Sequence, residues 1–119
     1  MYQRHILGRW GEDIACQYLQ ENNYEIIERN FECRQGEIDI IAKDKNEIVF
    51  IEVKTRTNNR YGSPIDSITY YKQRHIIKSV QYYLYKEKLE KAFIRIDVIE
   101  VYSRGEKYYV NHIKNAIGM

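Results

Sequence analysis

Two short stretches carry carboxylates where a strand would be expected to be apolar. Gly-Glu-Ile-Asp-Ile-Ile-Ala runs from Gly36 to Ala42, and Ile-Val-Phe-Ile-Glu-Val-Lys runs from Ile48 to Lys54. Period-2 alternation sets Glu37 and Asp39 on one face of the first stretch, and Phe50, Glu52 and Lys54 on one face of the second. A hairpin about Asn46 would bring Asp39 near Glu52, with Lys54 at the same end. Burying one ionised carboxylate is costly, and a second beside it adds repulsion that raises a pKa by roughly one unit or more. Such a pair calls for a cation. Lys54 supplies one charge, whereas a hard divalent ion neutralises two, and Mg²⁺ typically takes one or two carboxylates and keeps several waters. The plain alternative is that both acids lie at strand ends and form ordinary ion pairs with Lys54 or Arg56.

Glu12 offers a third carboxylate. It stands four residues after Gly8, three before Ala15 and seven before Leu19, so on a helix it projects from the flank carrying small and apolar residues. Gln73 likewise precedes Ile76 and Ile77 by three and four residues, at the first turn of a second helix. A salt bridge for Glu12 and an N-terminal hydrogen bond for Gln73 are the competing readings. Charge is also uneven along the chain. From Lys54 to Lys78 six basic residues (Lys54, Arg56, Arg60, Lys72, Arg74, Lys78) face one acid, Asp66, within a chain of net charge +2. That segment carries +5 and the remainder −3. Local asymmetry of this kind suits a phosphate-facing patch, because neutralising phosphates releases counterions; a solvated loop and helix face would give the same pattern.

The elements that must position these groups follow from periodicity. Leu7 to Leu19 reads as a helix, and Gly8 and Gly11 within it suggest close packing on something flat. Strands are expected at Tyr24 to Phe31, Glu37 to Ala42 and Ile48 to Lys54. The third is apolar on both faces and belongs near the middle of a sheet, covered on both sides. Asn58 to Ser67, with Gly62 and Pro64, reads as a polar loop. The stripe Ile76, Ile77, Val80, Tyr83, Leu84 predicts an amphipathic helix, in which Tyr82, Tyr83 and Tyr85 cannot share one side. Phe93 to Tyr102 and Lys107 to Ile113 complete a predicted order αβββαββ, an α/β fold with a mixed sheet flanked by helices.

With 119 residues, 44% hydrophobic and 30% charged, the chain suits one folded domain spanning residues 1–119 and argues against disorder. No apolar run approaches the roughly 20 residues needed to cross a bilayer, and the residues after Met1 lack the apolar stretch of a secretion signal, which predicts a cytoplasmic protein with no membrane partner. Cys16 and Cys33 stand apart, as two buried, reduced thiols rather than a disulfide framework.

Gly-Arg-Trp-Gly-Glu at 8–12, Gly-Glu-Ile-Asp at 36–39, Phe-Ile-Glu-Val-Lys-Thr-Arg at 50–56 and Lys-Gln-Arg at 72–74 occur in that order. Together they resemble the YraN-like family of uncharacterised bacterial proteins, over nearly the whole chain. That family is grouped with the restriction-endonuclease-like, PD-(D/E)XK superfamily and is similar in size and motif order to archaeal Holliday-junction resolvases. Ile38 stands where the superfamily pattern has proline, a residue with no chemical part to play. The resemblance implies a restriction-endonuclease-like fold in which Asp39 and Glu52 ligate Mg²⁺, or Mn²⁺ in its place, with the Val53 carbonyl as a third ligand. It also implies that Lys54 orients or activates the attacking water, that Glu12 completes the acidic cluster, and that Gln73 assists.

The leading expectation is therefore a metal-dependent, structure-selective DNA endonuclease hydrolysing phosphodiester bonds. Arg56, Arg60, Lys72, Arg74 and Lys78 would hold the backbone of branched or otherwise structured DNA, and a symmetric substrate would suit a homodimer. A nucleic-acid-binding accessory protein without cleavage of its own, and an interaction module whose acids form plain salt bridges, are the competing expectations.

Overall fold

The computed structural model describes residues 2–56 and 68–119, with backbone alone for residues 2–6. The chain runs α1 (Tyr2–Glu21), β1 (Glu25–Cys33), β2 (Gly36–Asp44), β3 (Glu47–Arg56), α2 (Tyr70–Lys86), β4 (Phe93–Arg104) and β5 (Lys107–Ile117). The expected order αβββαββ holds. The Asn58 to Ser67 loop, with Arg60, lies outside the described residues. The five strands form one mixed sheet in the order β1-β2-β3-β4-β5, antiparallel throughout except for the parallel pair β3 and β4. No described helix is long and apolar enough to cross a membrane.

The central place of β3 follows from its composition. Ile48 and Phe50 pack into the cluster beneath α2, and Val49 and Ile51 into the cluster beneath α1, so both faces of the strand are buried, as alternation predicts. Ile76, Val80, Tyr83 and Leu84 turn the core-facing side of α2 onto the sheet. Tyr83 is thus a core residue, while Tyr82 and Tyr85 face outward. On the other face Ala15, Cys16 and Leu19 seat α1. Gly11 permits a close approach, because a Cβ there would lie 2.0 Å from Thr55 Oγ1. Gly8 does not share that role: a Cβ built on it meets nothing within 4 Å. Both cysteines are free, Cys16 buried as expected and Cys33 only half-buried.

β2 and β3 join through a two-residue loop, Lys45-Asn46, in which Lys45 takes φ 57. Their ladder runs from Asp44↔Glu47 to Ile40↔Ile51, and there it ends. One step further, Asp39 and Glu52 stand across from each other. Alternation is interrupted at the same place. Ile38 packs on the α2 side and Ile40 on the α1 side. Between the pairs Arg29↔Ile40 and Phe31↔Ile38 the residue facing Asp39 is Asn30, with φ 54. A left-handed residue here turns the β1–β2 ribbon and releases Asp39 from the regular pleat.

Candidate metal and catalytic site

The carboxylate of Asp39 fills the gap left where β2 and β3 part. The Val53 N–H, which has no β2 carbonyl to reach beyond the end of the ladder, donates to Asp39 Oδ2 at 2.8 Å. Asp39 and Glu52 are both buried. They border a cleft of about 410 Å³ together with Gly8 and Glu12 of α1, Glu37 of β2, Val53, Lys54 and Thr55 of β3, and Lys72 of α2. Four separate elements thus converge on the C-terminal half of the parallel strand β3, the end at which open α/β sheets usually bind ligands.

The electrostatics of this cleft are unusual. Burial and the neighbouring Glu52 carboxylate push Asp39 up to about 8, against the pull of the Val53 N–H, with Glu12 and Glu37 adding to the rise. Glu52 is met by two lysines, Lys72 Nζ at 2.9 Å and Lys54 Nζ at 4.0 Å. Burial lowers the pKa of Lys54, helped by the Lys72 ammonium beside it, while Glu52 opposes the drop. Burial also raises Glu12, partly offset by hydrogen bonding to Asn30 and by Arg29. Two acids and two lysines therefore face each other in a space that solvates neither sign well.

The expected residues divide into three groups. Asp39, Glu52, Val53 and Lys54 meet at the cleft, and Glu12 borders it. Glu12 is also drawn aside, its Oε1 lying 3.6 Å from Arg29 Nη2. Among the described residues no group of three or more His, Cys, Asp or Glu side chains is gathered as a metal cage. Gln73 is not among the residues lining the cleft. Its Nε2 donates to the Ile68 carbonyl at 3.0 Å, so it closes the start of α2, the hydrogen-bonding alternative read from its position.

The basic residues are sorted differently from their spacing. Lys72, expected on a phosphate-facing surface, reaches into the cleft to Glu52. Arg56 turns inward, its Nε 2.8 Å from Oε2 of the fully buried Glu100, so it does not lie on an open surface. Arg74 and Lys78 are exposed on α2 as expected, and Arg60 lies outside the described residues. Arg29, Asn30 and Thr55 contribute to the site without having been anticipated, and Glu37 lines it without having been named a site residue. Glu37 was already placed with Asp39 by alternation; for the others, nothing in an isolated sequence marks which strand residue meets which helix.

Relatives are consistent over nearly full length. A Clostridium botulinum protein described as UPF0102 protein is 52% identical over 97% of this chain and 96% of its own. Proteins of the same description from Caldanaerobacter subterraneus subsp. tengcongensis and Caldicellulosiruptor saccharolyticus are 47% and 46% identical over 95% and 92% of this chain. Among solved structures, the crystal structure of SSO0001 aligns with a TM-score of 0.38 at 20% identity, covering 95% of this chain and 52% of that one. A likeness of that order bears on neither fold nor function. The model of the family described as Uncharacterised protein family UPF0102 matches residues 11–101, which include Glu12, Asp39, Glu52, Lys54 and Lys72, and the chain belongs to that family.

Proposed function

We propose that this protein is a Mg²⁺-dependent, structure-selective endonuclease acting on DNA. One observation carries the reading: Asp39 and Glu52 are buried side by side, and the carboxylate of Asp39 accepts a single hydrogen bond among the described residues. A pair so arranged is a poor structural device and a good receptor for a hard cation. The donor set fits Mg²⁺, which takes few carboxylates and keeps waters within a cleft of this size. Asp39, Glu52 and the Val53 carbonyl would hold it. When bound, Mg²⁺ would supply a Lewis acid for the scissile phosphate and a water of lowered pKa.

The chain's own residues account for the rest of the chemistry. Lys54, partly exposed at the rim, would donate to charge developing on the phosphorane oxygens. Lys72 sits close enough to share that task once Glu52 has another partner. Glu12, half-buried with its pKa raised, is suited to pass a proton to or from the attacking water. Arg74 and Lys78 hold phosphates, setting register without reading sequence, which is why selection would rest on the shape of the substrate.

The test is incubation of purified protein with Mg²⁺ or Mn²⁺ and a panel of flapped, branched, nicked and single-stranded DNAs beside Lys54→Ala. Metal-dependent cleavage lost in the variant is expected; no cleavage of any substrate at high protein concentration would overturn the reading. A second reading, an accessory protein that binds nucleic acid without cutting it, is favoured by the pairing of Lys72 with Glu52, which already gives that carboxylate a cation. It predicts DNA binding that survives Asp39→Ala and Glu52→Ala with no activity to lose.

A further inference from the structure

The outer face of α2 has a composition its structural role does not require. From Tyr70 to Lys86 the helix carries Lys72, Arg74, Lys78 and Lys86 and no acid, in a chain whose remaining residues sum to −2. On the first turn Tyr70 and Tyr71 are each 73% exposed. Two adjacent rings left open beside this positive charge make an amphipathic surface suited to a partner that is both planar and anionic.

Both rings are braced from behind. The Arg74 guanidinium lies over the Tyr70 ring, 5.8 Å from its centroid, and Arg74 Nη1 donates to the Tyr70 hydroxyl at 3.2 Å. The Tyr71 ring lies 4.4 Å from the His75 ring, and His75 Nδ1 is in turn fixed 2.7 Å from the Gln35 carbonyl. Each tyrosine is thus held by the residue one turn later while keeping most of its surface free. Planar groups held in advance lose little entropy on stacking. Lys72, adjacent to Tyr71, puts its ammonium on Glu52, so the tyrosines begin at the rim of the cleft. Beyond them Arg74 and Lys78 continue along the helix, spanning about 12 Å from Tyr70 to Lys78 at the usual helical rise.

The geometry points to a binding strip for an unpaired nucleic-acid strand, with Tyr70 and Tyr71 stacking on bases and Arg74 and Lys78 receiving phosphates. Duplex DNA keeps its bases stacked on one another and presents only its backbone to such a surface, whereas a single strand offers both partners at once. If the cleft cuts DNA, the strip makes its preferred substrate one with an unpaired arm, such as a flap or a frayed end, ahead of a fully paired branch. The cutting rests on the function proposed above. The binding does not.

Fluorescence anisotropy with a labelled single-stranded oligonucleotide and its duplex, in EDTA so that cleavage plays no part, separates the two. The double variant Tyr70→Ala/Tyr71→Ala should lose about tenfold or more in affinity for the single strand and far less for the duplex. Tyr70→Phe/Tyr71→Phe should restore it, since stacking needs the ring and not the hydroxyl. Lys78→Ala should lower the log–log salt slope by about 0.7, a change the tyrosine variants should not reproduce. Unchanged melting checks that the variants fold. Equal loss on both forms of DNA, no loss, no rescue by phenylalanine, or absent binding by the unmodified protein would overturn the inference. So would variants that abolish self-association yet leave oligonucleotide binding intact, because the face would then join two copies of the chain. Single-strand binding without cleavage of any substrate would sink the nuclease reading alone.

Discussion

Asp39→Asn, made in the metal-free protein, isolates the buried acid pair. In the folded state burial and Glu52 raise the Asp39 carboxyl from 3.8 to about 8. A group whose folded pKa is raised binds more protons when native, so stability falls as pH rises from about 4 to about 8 and then levels. At pH 7 the rise above 3.8 amounts to about 3 units, or about 4 kcal/mol at 1.36 kcal/mol per unit. That is a ceiling, because the cleft opens to solvent and water relaxes around a charge at its mouth. Asparagine keeps the shape and can still accept the Val53 N–H, but it has no charge to suppress. A gain of about 1–2 kcal/mol at pH 7 is expected, which for a chain of this length raises the melting temperature by about 4–10 °C.

Thermal melts of both proteins in EDTA from pH 4 to 8.5 measure the difference directly. The gap should be smallest at pH 4, where Asp39 is neutral in the folded protein and only about half ionised in the unfolded chain, and should widen steadily to about pH 8. Subtracting the two curves removes the titrating groups remote from Asp39. An asparagine variant no more stable than the parent at any pH would refute the claim that the acids are held together against their repulsion.

Other outcomes follow from the same geometry. Mg²⁺ should stabilise the parent but not Asp39→Asn; because binding must expel the Asp39 proton, affinity by calorimetry should climb up to tenfold per pH unit below about 8, and a flat profile would contradict it. Gly11→Ala drives a Cβ against Thr55 Oγ1 and should cost about 1–3 kcal/mol; adding Thr55→Ala should recover much of it in a denaturant-melt double-mutant cycle, and strict additivity would count against the contact. Lys72→Met removes the ammonium that competes for Glu52, so metal affinity in the same calorimetric assay should rise several-fold rather than fall.

The fold was legible where one physical rule acts alone. β3 is apolar on both faces, and only a central strand buries both, so its place near the middle of the sheet could be read from the run Ile48 to Lys54. The pairing of Asp39 with Glu52 was legible too, because a two-residue turn at Lys45-Asn46 fixes the register that sets them opposite. What failed was the assignment of long cationic side chains. Lys72, Arg74 and Lys78 look alike in a charge run, yet one enters the cleft and two face outward, a choice made by the packing of α2 rather than by local composition. Arg56 was misplaced for a related reason: its partner Glu100 lies 44 residues away on β4, and nothing in the sequence links them. The turn at Asn30 was equally hidden, since an asparagine in a polar run marks no left-handed residue by itself.

The remaining buried acids show what a structural carboxylate looks like in this protein, and they supply the contrast that the site needs. Asp97 is fully buried, yet its oxygens meet Arg95 Nε at 3.1 and 3.2 Å, the Asn115 N–H at 2.8 Å and His112 Nε2 at 2.7 Å. His112 continues to the Tyr18 hydroxyl at 2.9 Å, and Arg95 Nη1 reaches Asp44 and Glu47 near the β2–β3 loop. Glu100 has Arg56 and the Tyr102 hydroxyl. These charges are neutralised within the fold by direct contacts; Asp39, with one N–H and another carboxylate beside it, feels Lys54 and Lys72 only at a distance, and among the described residues it forms no ion pair. Asp97→Asn should therefore have the sign opposite to Asp39→Asn, because it takes the charge from a carboxylate that Arg95, His112 and the Asn115 N–H share, leaving Arg95 only the Asp44 and Glu47 carboxylates among the described residues, and should cost about 1–3 kcal/mol by denaturant melt, with or without Mg²⁺. If the two substitutions shifted stability in the same direction, the distinction between an acid held by the fold and an acid waiting for a cation would fail, and with it the physical ground for a metal at Asp39 and Glu52.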